Sequence, residues 1–431
     1  GILSLLFRDT FTVADFVSSL SRDPPSVNPL PSTRIHLLPL LLLSLVTSTF
    51  GFSVGPEAPM VCAGGLVGAS MARWLNSAAN VNAGADNDGS NAKNHDSNTK
   101  IDRSEEILAY AGAAGALTAF MGIPIAGSIF ALELTRSDAG FQGGDFLAPT
   151  VLASVAALVL IRGVLLPSVA VGGHFYYASV GVLTGRVAIT TAVACGLGGA
   201  LVGTMFTKVV SLLKRVAWPT PKQTPPNSNR NSHKPWKYRE LLVKTTIGLL
   251  VGLLSSRFPQ TLFWGEGSLQ CMIDGQHTPF AATKHGLGSL LTGAAIVNPN
   301  LPFATNNPVQ AAQVGLAKLL AIALACAGKF PGGIIFPLFF AAAPLAHAVT
   351  SLFDGLLGGI LGPTSLVVMC LMASVQASVT RTPLATVLIL ALTASRATEL
   401  SVMLPACLIS SYLGVFFSQW ISRSSYFSYH S

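Results

Sequence analysis

Apolar runs and polar breaks alternate along this chain in a pattern that predicts membrane helices. Residues 36–52, 59–76, 107–134, 147–171, 186–213 and 239–256 are apolar, and after a mixed stretch so are 310–327, 332–353, 357–379, 383–395 and 401–421. A vertical span needs about 20 apolar residues. Many of these runs are shorter, or are divided by Gly and Pro, as Gly122 and Pro124 divide 107–134. The pattern therefore predicts tilted, broken helices. Two polar inserts interrupt it. Residues 77–105 carry the low-complexity run Asn-Ala-Gly-Ala-Asp-Asn-Asp-Gly-Ser-Asn, and 218–237 are rich in Pro, Asn and Lys. Neither can bury enough apolar surface to order itself, so both read as solvent loops. The chain opens on Gly1, and residues 1–35, with Pro24, Pro25, Pro29 and Pro31, read as an irregular, truncated or mispredicted N-terminus. No secretory leader is expected, because the apolar run Leu38 to Val46 leads into Gly-Pro-Glu-Ala-Pro rather than a small-residue cleavage site.

Composition agrees. Of 431 residues 51% are hydrophobic and 10% charged, where a soluble domain carries about 25% charged residues. Mean hydropathy is +0.58. The chain reads as an all-α polytopic membrane protein whose surroundings are a lipid bilayer. The net charge of +8 collects in loops and termini and gives no reason to expect nucleic acid. The six cysteines form no CxxC pair and lie mostly in apolar runs, so packed free thiols are expected rather than disulfides or a metal site.

Two stretches carry candidate chemistry. In Gly55-Pro56-Glu57-Ala58-Pro59, Glu57 is the only full charge between Arg34 and Arg73. A carboxylate at membrane depth is costly and marks a functional site by default. Gly55, Pro56 and Pro59 stop one helix and start another, whose N-terminus offers free N–H groups and a positive dipole end to an anion. The second stretch is Gly328-Lys329-Phe330-Pro331-Gly332-Gly333-Ile334-Ile335-Phe336-Pro337. Its Gly and Pro exclude regular helix, and irregular backbone at this depth survives only when buried or lining an aqueous path. The amides of Ile334 and Ile335 could hold an anion without side-chain charge, weakly enough to release it. The competing reading is a kinked helix with Lys329 snorkelling to the interface. A weak repeat joins the halves: Pro124-Ile125-Ala126-Gly127-Ser128-Ile129 against Pro383-Leu384-Ala385-Thr386-Val387-Leu388. It points to a transporter fold with its site at the repeat interface, or is chance similarity between two Ala-rich helices.

These motifs resemble the CLC family of chloride channels and chloride/proton exchangers. Gly55-Pro56-Glu57-Ala58-Pro59 is similar to the family's G-[RKP]-E-G-P signature, and Lys329 to Pro337 to its K-x-P-x-G-x-F-x-P stretch. Phe258 to Glu266 and Gly112 to Glu133 resemble family segments in the same order, and the likeness covers roughly residues 36–426. It implies an inverted repeat of tilted, broken helices and a homodimer with one anion pathway per subunit. Chloride or another small anion is then the ligand, with protons in the exchangers, and no cofactor or metal. By the same resemblance Glu57 falls on the gating glutamate, and Ile334 and Ile335 on the positions whose N–H groups hold the central anion. Tyr426 falls on the inner tyrosine, with Tyr429 as its rival. Gly55, Pro56, Pro59, Gly333, Phe336 and Pro337 supply the motif backbone. Some positions depart from the pattern. The family's G-S-G-x-P motif is not found upstream of residue 36, and residues 1–34 match none of its early helices. Ala58 replaces Gly, and Ile335 stands where the signature has Phe. Leu134 occupies the place of the exchangers' inner proton glutamate, which favours a channel over an antiporter. Residues 427–431 read as a tail, with no CBS domains.

Two rivals remain. An unrelated secondary transporter would put more polar side chains into its spans. A membrane enzyme would need a Ser/His or Asp pair or H-E-x-x-H, and none is found, so no catalytic residue is assigned. His36 and His347 read as interfacial or packed, Glu133 as structural, and Glu266 as a surface residue.

Overall fold

A computed structural model describes residue 16, residues 33–83, 94–134, 144–165, 175–219 except 179 and 182, 234–274, 307–357, 360–395 and 400–422. Among these the helices in chain order are α1 (Thr33–Thr49), α2 (Glu57–Ala83), α3 (Asn94–Met121), α4 (Pro124–Leu134) and α5 (Gly144–Leu158). Then follow α6 (Gly185–Ala217), α7 (Lys234–Arg257), α8 (Glu266–Asp274), α9 (Pro308–Ala327), α10 (Ile335–Leu357), α11 (Thr364–Thr380), α12 (Pro383–Thr393) and α13 (Leu400–Ile421). A π turn over Val159–Leu165 extends α5. Among the described residues a parallel pair of two-residue strands, β1 (Phe175–Tyr176) and β2 (Ala394–Ser395), stands beside the helices. Helices dominate because a bilayer offers no partner for backbone N–H and C=O groups, which must be satisfied within each segment.

Among the described residues five helical segments, Asp145–Leu165, Gly185–Ala217, Pro308–Ala327, Ile335–Gly355 and Met403–Ile421, are long and apolar enough to cross a membrane. Others are short: α4 and α12 have 11 residues each. The expected loops are narrower than the polar pattern implied. α2 runs on to Ala83 and α3 starts at Asn94, so helix reaches into 77–105 from both ends. Where the apolar runs end, Arg73 forms an ion pair with Glu105 at 2.6 Å, and Asn76 donates to Ser104 at 2.9 Å, which ties the two helices together at the start of the insert. Likewise α7 begins at Lys234, inside the second insert.

The described residues divide into two compact units. One is built on α2 to α5. Its helices touch backbone to backbone: a Cβ on Gly68 would lie 1.9 Å from the Leu108 carbonyl oxygen, and one on Gly64 2.3 Å from that of Gly112. Small residues permit this approach, and without a hydrophobic drive between lipid-solvated helices such packing supplies much of the attraction. Ser128 and Ser154 share a buried hydrogen bond at 2.7 Å, joining α4 to α5.

The other unit is built on α6 to α13 and the segment before α2. The long helix α6 receives α11 along a Gly stripe. Ser374 donates to the Gly196 carbonyl and Ser378 to that of Gly199, both at 3.1 Å. α10 and α11 form its interior, with Phe336, Phe339, Phe340 and Val367 to Cys370 all buried. α13 keeps Tyr412, Phe416 and Trp420 exposed, as a lipid-facing helix does. All six cysteines are buried free thiols. Where the sequence hinted at a repeat, the structure places two like elements: α4 and α12 each open on Pro, have 11 residues, and follow a longer helix after a short break.

Candidate anion site

The two broken stretches meet. Gly55 donates its N–H to the Gly333 carbonyl at 2.8 Å, and Gly333 donates back to Gly55 at 2.5 Å, an isolated antiparallel pair. Sequence separates these residues by most of the chain; the fold makes them partners. The contact is close enough that a Cβ on neighbouring Gly332 would stand 2.5 Å from the Val54 side chain. Thr47 Oγ1 donates to the Pro331 carbonyl at 3.1 Å, and Phe52 stacks on Phe330 with centroids 4.1 Å apart.

Beyond this pair α10 begins. Ile335 is its first residue, and Ile334 stands at the cap, its carbonyl accepting from Leu338 N–H at 3.0 Å. The first N–H groups of a helix have no partner inside it. Here Pro337 brings no N–H at all. The N–H groups of Ile334 and Ile335 have no acceptor among the described residues, and both residues are 4% exposed. Buried donors of this kind call for an acceptor, and the N-terminal end of a 23-residue helix prefers a negative one. Phe336 is buried, its ring 6.2 Å from Phe339. The displaced aromatic thus serves the core of α10.

Glu57 belongs to the other unit. It is the first residue of α2 and 1% exposed, with Pro59 buried in the same turn and Pro56 half-buried just before it. Tyr426 and Tyr429 lie outside the described residues. Lys329, the snorkelling candidate, sits in left-handed conformation at φ +55°. Its Nζ lies 4.7 Å over the Trp218 ring, and Trp218 donates to the Ala327 carbonyl at 2.8 Å. His347 lies 3.0 Å from the Met272 carbonyl at the end of α8, a packing role. Glu266 is half-buried and accepts from the Trp264 indole at 3.1 Å, so it is no simple surface acid.

The sequence reading passed over Lys318. It stands alone in the apolar run 310–327, and that isolation was the available signal. In the structure it is completely buried and reaches the carbonyls of the loop after α7.

Comparison with known proteins decides the family. The family model described as voltage gated chloride channel matches residues 21–415. The chain belongs to this family. The match begins upstream of residue 36, so part of the segment read as foreign to the family lies within it, and it stops short of Tyr426. No curated protein matches the sequence. Among solved structures, the chain is similar to a CLC-type fluoride/proton antiporter, with TM-score 0.60 and 19% identity over 89% of this chain and 74% of that one. It is similar to a slow cyanobacterial Cl−/H+ antiporter at TM-score 0.62 and 14% identity, over 97% and 79% of the two chains. A eukaryotic CLC transporter matches at TM-score 0.59 and 15% identity, over 99% of this chain and 62% of that one. At these identities the neighbours establish the CLC fold. The voltage-gated chloride channel family is integral to membranes and moves anions, and its members are channels and transporters rather than enzymes.

Proposed function

We propose that this protein conducts chloride or a similar small anion through a pathway centred on the Ile334 and Ile335 amides and gated by Glu57, with Tyr426 as the inner hydroxyl. Each subunit of a homodimer carries its own pathway. The observation that carries this reading is the pair of buried amides at the start of α10, without acceptors among the described residues, directly after the Gly55–Gly333 pair. Gly333, paired with Gly55, and Phe336 and Pro337 after it shape the backbone that presents these donors, and Pro56 and Pro59 flank the gating Glu57 in its own motif. Amide dipoles bind an anion without a full counter-charge, which keeps release fast. Glu57 follows Gly55 by two positions and opens α2, where its carboxylate is an intramolecular rival for an anion at a helix N-terminus. Protonation removes that rival, so flux rises as pH falls. Glu57→Gln is expected to hold flux at the high, acid-like level across pH, measured as chloride efflux from liposomes. A mutant that keeps the wild-type pH profile sinks the gating role.

Channel-like conduction is the first reading of the transport mode, because Leu134, at the end of α4, cannot carry a proton. The second reading, chloride/proton exchange, is favoured by two of the solved neighbours, which are themselves proton-coupled antiporters. A bilayer with symmetric chloride and a proton gradient separates them. A channel reverses at zero voltage; an exchanger reverses at a voltage that moves with the proton gradient.

A further inference from the structure

Lys318 lies in the middle of α9 and is 0% exposed. Its Nζ stands 2.6 Å from the Phe263 carbonyl, 3.2 Å from that of Thr261 and 3.5 Å from that of Leu262, and 4.7 Å over the Phe340 ring. An ammonium has three donors and no acceptor, and it finds three carbonyls here. Among the described residues no carboxylate pairs with it. A buried cation without a counter-ion costs several kcal/mol unless hydrogen bonds and an aromatic face offset the loss of water. A lysine held on such terms at membrane depth marks a function by default.

The carbonyls it gathers belong to irregular backbone. Pro259–Thr261 form one 3-10 turn, and Phe263 and Gly265 follow at φ +57° and +89°. Side chains from helices hold this loop: besides Lys318 on α9, the Ser255 hydroxyl of α7 lies 2.9 Å from that of Thr261. Its outer edge reaches the candidate site: Phe263 donates its N–H to the Gly51 carbonyl at 3.0 Å, and the Ser53 hydroxyl donates to the Thr261 carbonyl. The segment from Gly51 ends at Gly55, which pairs with Gly333. Gly333 itself follows α9, the helix that carries Lys318. The contacts close a ring from Lys318 through the loop and residues 51–55 to Gly333 and back along the chain.

We propose that Lys318 is a positioning residue for the anion-binding amides: by clamping the Thr261–Phe263 carbonyls it sets where Gly55 holds Gly333, and so the spacing of the Ile334 and Ile335 donors and their discrimination among anions. The selectivity part rests on the anion-transport reading above; the positioning part does not. The test is hydrogen–deuterium exchange on purified Lys318→Met, a near-isosteric change, beside the wild type. Amides of residues 51–55 and 332–336 are expected to exchange about tenfold faster, with α13 unchanged, since exchange reports local opening. Unchanged exchange in these segments, or a rise spread evenly over the chain, overturns the proposal. If Lys318→Met does not fold, Ser53→Ala removes the next link, and the same two segments must loosen, to a smaller degree; no local change there overturns it equally. In liposomes the chloride/nitrate permeability ratio of Lys318→Met is expected to shift by about threefold or more, because filter geometry sets selectivity. An unchanged ratio with loosened amides overturns the selectivity role. A wild type that passes no anion refutes the transport reading, while the exchange result still decides the positioning.

Discussion

Two helices of this protein open on broken backbone, and they open differently. α2 starts with Glu57, so its N-terminal field meets a carboxylate supplied by the helix itself. α10 starts with Ile335, after Gly332, Gly333 and Ile334, and offers bare amides in an apolar setting. A helix that carries its own anion is suited to gating; one that leaves donors for another molecule is suited to binding. Lipid-depth burial sharpens the contrast, since the charge at the first start and the unmet donors at the second are both costly there.

The largest effect is expected from giving the second helix the first one's carboxylate. A fixed like charge at a binding site costs several kcal/mol, so Ile335→Asp should reduce chloride flux at neutral pH by about 100-fold or more, with recovery on acidification. Ile335→Asn, neutral and similar in size, should keep only the pH dependence that Glu57 gives the wild type, so the difference between the two mutants isolates the added charge. Equal flux in Ile335→Asp and wild type would place the anion elsewhere.

A smaller effect should follow from spreading the Gly55–Gly333 pair. At Gly332 even a Cβ meets Val54 at 2.5 Å, and overpacking of this kind costs about 1–3 kcal/mol. Gly332→Val is expected to lower flux by about tenfold, through a local shift rather than unfolding. The readout is flux per folded protein, with monodispersity in size exclusion as the control. Normal flux would show that the pairing does not govern the amides.

The smallest belongs to Thr47→Val. It removes one donor from the Pro331 carbonyl while leaving the side chain's shape. A single hydrogen bond of this type contributes about 1 kcal/mol net, so flux should change less than about threefold and the melting temperature should fall slightly. A loss as large as that of Gly332→Val would mean that Thr47, rather than the glycine pair, holds the second break in place.

The sequence alone determined the membrane class, the order of the apolar segments and the two broken motifs. Alternation of apolar runs with Gly and Pro is a local property, and a bilayer converts it into helix almost directly, because no other backbone satisfies its own hydrogen bonds there. It also indicated that Ile334 and Ile335 stand at a helix start, since Gly-Gly before and Pro337 after leave few alternatives. Only the tertiary structure decided that Gly55 pairs with Gly333, that Lys329 leans on Trp218, and that Lys318 gathers three carbonyls of a distant loop. The run of polar residues after Asn76 does not mark the end of α2, which continues to Ala83 with its neighbour α3 tied on by the Arg73–Glu105 pair. The physical reason is common to these cases. A hydrogen bond between segments far apart in sequence leaves no periodic trace in either of them, and a lone lysine in an apolar helix announces that it must be compensated without naming what compensates it.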